Sequence, residues 1–309
     1  MSFNEIRAET LDSDPETPAE FPLCLNKDTD TPGFLTPREV EVVSRLAAFR
    51  FLFRAQLEEF LFSRTEVTQR SRTVLTHRIL DRLRRRGLVV GTREFGDGRR
   101  GGSGRLVEQL TPHGRRVAST FMPGLPRAAR RTLLGTFLMR HATSVAEVAL
   151  AFDRAARARR GHRLVEWQCD WQGALRLGAG MVVPDAWLAY RTPDWELSAF
   201  VEVDLGTEGT RFFTRKIDRY LALHRSGEWS ARFESWPLVL IVAPAPTRAN
   251  ALRRACDLTV SQPENLLAPA SEFRVATFGD VVGPGGPLGP IWMGADGHKG
   301  PLLPSDRRA

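Results

Sequence analysis

Lysine is almost missing from this chain: of 44 basic residues only Lys27, Lys216 and Lys299 are not arginine. Arginine stays protonated in proteins whereas the charge of lysine can be tuned, so an interior lysine in such a background calls for a reason. Cysteine is scarce as well, and Cys24, Cys169 and Cys256 are odd in number and far apart. That spacing argues against a disulfide framework or a zinc site and for a reducing cytoplasm, with the three thiols as tail, core and helix residues. No apolar run approaches the roughly 18 residues that a membrane span requires. The first twenty residues, "MSFNEIRAETLDSDPETPAE", are acidic and polar. They lack the basic-then-apolar order of a signal peptide, so a cytoplasmic location without membrane contact is expected. No internal repeat is present.

What the chain has in excess is positive charge, +8 formally with a pI near 10.3, which points to a polyanionic partner such as nucleic acid. The charge is unevenly placed. Residues 1–32 are acidic, but residues 36–131 carry 21 Arg against 9 Asp and Glu. The expected organisation is a disordered acidic tail over 1–35, a basic domain over 36–120, a linker over 121–131 with helix-breaking prolines, a second domain over 132–280 and an irregular Gly/Pro-rich tail over 281–309.

Within the basic domain, "TPREVEVVSRLAAFRFL" opens a helix with Thr36 as N-cap, Pro37 at the first position and Glu39 three residues after the cap. "RAQLEEFLF" reads as a second helix and "QRSRTVLTHRILDRLRRRG" as a third, with Leu75, Ile79, Leu80 and Leu83 as its core face. Two strands follow, near 88–95 and 105–110, flanking a Gly/Arg-rich tip. Three helices and a basic hairpin make the order of a winged helix-turn-helix. Arg70, Arg72, Thr73, His77, Arg84 and Arg85 on the third helix then become candidates for contact with double-stranded DNA, with Arg99, Arg100 and Arg105 on the wing. Seven Arg and one acidic residue within 70–86 support this. The alternative is a solvated basic face on a domain that binds protein. An RNA partner is disfavoured, because single-strand readers usually carry aromatic stacking platforms and the basic segment is poor in exposed aromatics.

The second half has the order α-β-β-β-α-β: a long helix ended by Gly161, strands in "HRLVEWQCDW", "GMVVPDAWLAYR" and "WELSAFVEVD", a helix in "GTRFFTRKIDRYLALHRSG" with Thr207 as N-cap, and a buried strand in "WPLVLIVAP". A helix near 247–258 and a strand near 273–278 follow. Glu202 and Asp204 alternate with Val201 and Val203, so both carboxylates face the same side of their strand. If the second and third strands form a hairpin, Asp185 joins them. Three such groups repel one another unless a cation lies between them, and an all-oxygen set suits Mg²⁺ or Mn²⁺. Arg215, Lys216 and Arg219 stand on the following helix, where Lys216 and Tyr220 share a face. Glu147 on the long helix is an accessory candidate. The bland alternative has Asp204 capping the turn at Gly206 and Asp185 paired with Arg191 or Arg215.

The "PD" on the second strand and the acidic pair on the third resemble the PD-(D/E)xK nuclease-like fold. That resemblance implies that Asp185 and Glu202 hold Mg²⁺, with Asp204 standing where the motif has lysine and Lys216 replacing it from the next helix. More closely, residues 36 to about 245 resemble the replication-relaxation family of plasmid proteins. The resemblance rests on "LTPHG", the "RH" of the long helix, "PDAW" and "VEVDLGTE…KIDRY". It implies a mixed α/β (α+β) protein, a winged helix followed by a nuclease-like domain. The implied function is Mg²⁺-dependent DNA nicking, with Asp185, Glu202, Asp204 and Lys216 catalytic. The other function it allows is non-enzymatic regulation of transcription or replication on a degenerate nuclease fold. A homodimer is compatible with both.

Overall fold

A computed structural model describes residues 35–93, 105–126, 135–173, 175–177, 180–207, 209–262 and 273–303. The acidic tail, the wing residues Arg99 and Arg100, residues 127–131 of the 121–131 segment and the last six residues lie outside the described residues. The protein is mixed α/β, and the chain divides between Leu150 and Ala151 into two compact units. No helix among the described residues is long and apolar enough to cross a membrane.

The first unit contains α1 (Pro37–Phe49), β1 (Leu52–Phe53), α2 (Arg54–Phe62), α3 (Gln69–Arg85), β2 (Val89–Arg93), β3 (Leu106–Leu110) and α4 (Pro112–Ala118), and then the greater part of α5 (Gly135–Arg157). Its three strands form an antiparallel sheet in the order β1-β3-β2. Thr36 caps α1 in a capping box with Glu39, which satisfies two of the helix's orphan donors. Thr68 caps α3 through its side chain alone, which accepts the Ser71 N–H.

The core face of α3 is Thr76, Ile79, Leu80 and Leu83, whereas Leu75, expected inside, is 37% exposed. Residues four apart drift around a helix, so Leu75 lies too far from Leu83 to share its contacts, and Thr76 takes the inward position. The "LTPHG" segment has a packing reason. Thr111 caps α4 through the Gly114 N–H and binds Gly87 O through its hydroxyl, and a Cβ on Gly114 would lie 2.0 Å from Leu88 O. Phe121 and Met122 are buried rather than strung along a linker.

The second unit takes up the end of α5 and continues with β4 (Arg163–Cys169), α6 (Asp170–Gly173), β5 (Leu175–Leu177), β6 (Gly180–Val182), β7 (Ala186–Arg191), β8 (Glu196–Val203), α7 (Thr210–Ser226), a 3₁₀ turn (Glu228–Ala231), β9 (Leu238–Ala243), α8 (Pro246–Val260), β10 (Phe273–Thr277), α9 (Phe278–Val282), β11 (Trp292–Met293) and β12 (Lys299–Gly300). Seven strands form one sheet in the order β12-β11-β10-β9-β8-β7-β4. β8, β9 and β10 run parallel through the crossovers α7 and α8, and the other neighbours are antiparallel. α7 and α8 cover one face, packing Phe213, Ile217, Tyr220, Leu252 and Cys256 on Trp187, Phe200, Val239 and Ile241. Phe152 of α5 packs against Trp167 and Tyr190.

Three local features depart from the sequence reading. "GMVVPDAWLAYR" is two strands, since among the described residues β6 pairs only with β5 and the sheet resumes at Ala186, after the Pro184 that cannot donate to a ladder. Gly209, not Thr207, occupies the N-cap of α7. The Gly/Pro-rich end contributes β11 and β12 to the sheet and buries Trp292.

Candidate functional site

The β7/β8 register pairs Ala186 with Val201, so one step further along the ladder Asp185 stands opposite Glu202. The hairpin therefore brings these two carboxylates together. Glu202 is 1% exposed and both of its oxygens are engaged: Lys216 Nζ donates to Oε2, and Tyr220 OH donates to Oε1 at 2.5 Å. Lys216 Nζ also lies 3.9 Å from Asp185 Oδ1, while Asp185 Oδ2 accepts the Val203 N–H at 2.7 Å. Lys216 and Tyr220, one turn apart on α7, thus reach the same carboxylate, and the cation between Asp185 and Glu202 is the ammonium of the rare lysine. Arg191 pairs with Glu196 instead of Asp185.

Burial pushes the Glu202 carboxyl up to about 7; Lys216 pulls against that rise, and the Asp185 charge adds to it. Burial, reinforced by Glu202, also raises the Tyr220 phenol well above its ordinary value. Tyr220 is therefore a neutral donor at physiological pH and a poor candidate for a phenolate nucleophile.

Asp204 is placed differently. The strand ends at Val203, and Arg248 from the first turn of α8 clamps Asp204 at 2.6 and 3.2 Å in a bidentate pair. Arg248 escaped the sequence reading because it lies 44 residues away, and the only signal for it was its place just inside a Pro-started helix. Glu147 accepts from Gln56 Nε2 at 3.1 Å within the first unit.

Among the described residues no group of three or more His, Cys, Asp and Glu side chains is placed to hold a metal ion. Two hard carboxylates, one on β8 and one just before β7, nevertheless match the way Mg²⁺ is commonly held, by one or two carboxylates together with substrate phosphates. The Lys216 ammonium is a protein-borne stand-in for a cation at that position. The donor set thus suits a divalent ion shared with a phosphate ligand, and not an all-protein cage with Asp204 as third ligand.

In the first unit much of the arginine excess is spent internally. Buried Glu39 accepts from Arg82 at 2.9 Å and Arg86 at 3.1 Å. Buried Glu108 binds Arg84 at 2.5 Å and lies 3.8 Å from Arg54. Of the candidates on α3, Arg72 turns back to the carbonyls of Val67 and Thr65, and Arg84 is held by Glu108 and Asp81. Arg70, Thr73, His77 and Arg85 are exposed, with His77 Nδ1 2.9 Å from Asp81. Arg78 is exposed beside them and was missed, although its spacing from Arg70 and Arg85 places it near that face. Val74 is 43% exposed there, an apolar group among cationic ones. Arg105, just before β3, stacks its guanidinium over Phe53 at 3.8 Å.

The sequence model of the replication-relaxation family matches residues 44–239, well over half of the chain. The matched stretch holds α3, the "LTPHG" segment, Asp185, Glu202, Lys216 and Tyr220, and it ends before Arg248. No curated protein and no solved structure matches.

Proposed function

The chain belongs to the replication-relaxation family, and from that premise we propose that it acts in plasmid replication or relaxation as a DNA-binding protein that makes single cuts in duplex DNA. In this reading the first unit is a winged helix that docks double-stranded DNA through the outward face of α3. The second unit is a PD-(D/E)xK-like domain whose working centre is Asp185, Glu202 and Lys216. The observation that carries the proposal is Lys216 reaching from α7 to Glu202, with Asp185 in register across the hairpin.

Asp185 and Glu202 would hold Mg²⁺ or Mn²⁺. When bound, such an ion supplies charge stabilisation at a phosphate and lowers the pKa of water. The chain's own residues do the rest. The Val203 N–H fixes the orientation of Asp185, and Tyr220 OH fixes Glu202. Lys216, released from Glu202, presents an ammonium to a phosphate oxygen.

The second reading is a regulator of replication or transcription that binds DNA without cutting it. What favours it is that both Glu202 oxygens are already satisfied and Asp204 is locked to Arg248. Incubation of supercoiled plasmid with the full chain and Mg²⁺ or Mn²⁺ separates the two. The nuclease reading expects open-circular product that Asp185→Asn and Glu202→Gln abolish. Duplex binding without any open-circular product makes the protein a regulator, and nicking that survives both substitutions removes the assigned centre.

A further inference from the structure

Along α7, Phe212, Arg215, Lys216 and Arg219 fall at i, i+3, i+4 and i+7 and so share one stripe of the helix. Phe212 is 50% exposed, and Arg215 and Arg219 are exposed. The opposite side of the helix is core, with Phe213, Ile217 and Tyr220 buried. Lys216 lies on the seam between the two, directing its ammonium toward Asp185 and Glu202.

A half-exposed phenyl ring has a cost in water, and here no apolar neighbour on the stripe makes it part of a larger patch. Arg215 and Arg219 follow it about one and two turns further along the helix instead, and Asp218 is the one acidic residue of the helix against Arg211, Arg215, Lys216, Arg219 and Arg225. Protein partners are recognised by clustered apolar anchors with a polar rim. A single aromatic face among guanidiniums is the pattern that takes a nucleobase on the ring and phosphates on the cations.

We propose that this stripe is a binding site for an unpaired nucleotide of DNA: a base stacks on Phe212 while Arg215 and Arg219 hold the adjoining phosphates, which leads the strand to Lys216. The site rests on the proposed DNA-processing role and adds to it the form of the substrate, a strand that is locally unpaired beside the Asp185–Glu202 centre.

The test uses the full chain without divalent metal and an oligonucleotide carrying the fluorescent base 2-aminopurine, single-stranded or annealed to its complement. The wild-type protein is expected to quench the single-stranded probe on binding. Phe212→Ala should lose that quenching and bind the single strand roughly 5- to 100-fold more weakly. Phe212→Trp should keep both properties, and duplex affinity should change less than about twofold in either variant. Arg215→Ala and Arg219→Ala should each lower the salt dependence of single-strand binding by about 0.7 in log–log slope. Unaltered single-strand affinity and quenching in Phe212→Ala overturn the inference, as does an equal loss on single strand and duplex. Nicking assays on the same preparations tell the two levels apart. Plasmid nicking and duplex binding without a stacking signal remove only this site, whereas absence of binding to either form of DNA removes the functional reading with it.

Discussion

Lys216 on α7 donates to Glu202 on β8, fourteen residues earlier, and lies 3.9 Å from Asp185, just before the neighbouring strand β7. A buried carboxylate beside a second carboxylate is unfavourable in isolation, so the fold supplies a cation of its own. Folding and the proposed chemistry are thereby linked through one side chain. A phosphate that claims Lys216, or a metal ion that claims Glu202, must break an ion pair which the resting protein uses for stability.

Lys216→Met should therefore be costly. It leaves Glu202 buried with Tyr220 as its remaining donor, and the expected loss is about 3 kcal/mol of unfolding free energy near pH 8. The loss should be smaller on the acid side of neutrality. A carboxyl whose folded pKa is raised takes up a proton on folding, so its stability contribution falls as pH rises from the unfolded to the folded value. Glu202 is already raised to about 7, and removing the ammonium raises it further. Chemical denaturation of the variant at several pH values checks this. A pH-independent loss would mean that Lys216 acts by packing alone. The double variant with Glu202→Gln should recover most of the stability.

Asp204 and Arg248 form a second, separate pair, with side chains 7% and 16% exposed. Asp204→Asn should cost about 3 kcal/mol, because it leaves a mostly buried guanidinium without its carboxylate. It should leave Mg²⁺ binding, followed by calorimetry, close to that of the unaltered protein, whereas Glu202→Gln should abolish it. Equal loss of metal binding in the two variants would restore Asp204 to the ligand set.

How much of this was legible in the sequence depends on the reach of the contact. Alternation along "FVEVD" put Glu202 on a defined face, the short turn at "TPD" put Asp185 across from it, and helical spacing put Lys216 and Tyr220 together; each of these relations is local or joined by a short connection. The partner of Asp204 was hidden because it depends on where α8 docks, which no local period encodes. The same limit explains α3. Its helical period marked a polar face, but whether an arginine on that face points outward or folds back depends on distant acids such as Glu39 and Glu108. Leu75 was misplaced for a smaller reason, the drift of i+4 rows around a long helix.

Glu39 gives the first unit an acid-sensitive support. Burial acts to raise its pKa, but the Thr36 N–H, Arg82, the Thr36 hydroxyl and Arg86 together outweigh burial and hold it below 4.5. A depressed folded pKa means that the contribution is complete above the unfolded value and fades as pH falls through the folded one. Glu39→Gln keeps the helix cap, because an amide oxygen can still accept from Thr36, and removes the charge together with one of the two acceptor oxygens. With Arg82 and Arg86 about 40% exposed, the expected cost is about 1 kcal/mol near neutrality. Urea melts of the two proteins should converge as pH falls below 4.5, and a constant gap would show that hydrogen-bond geometry, not charge, is responsible.

The arginines of α3 should divide by orientation. Arg70, Arg78 and Arg85 are exposed, so alanine at each should change unfolding free energy by less than about 0.5 kcal/mol. If the first unit docks duplex DNA through this face, each of the three that meets a phosphate should lower the salt slope of duplex binding by about 0.9 when removed. Arg84→Ala should behave in the opposite way. It strands Glu108, which is fully buried and whose other cation, Arg54, is 3.8 Å away, and should destabilise the unit by about 3 kcal/mol. At temperatures where the variant stays folded, its duplex affinity should be nearly that of the unaltered chain. Fluorescence anisotropy across a salt series, paired with thermal melts, measures both quantities on the same samples. Should Arg70→Ala, Arg78→Ala and Arg85→Ala all leave the salt slope unchanged, α3 is not the face that meets DNA, and its positive charge serves solvation.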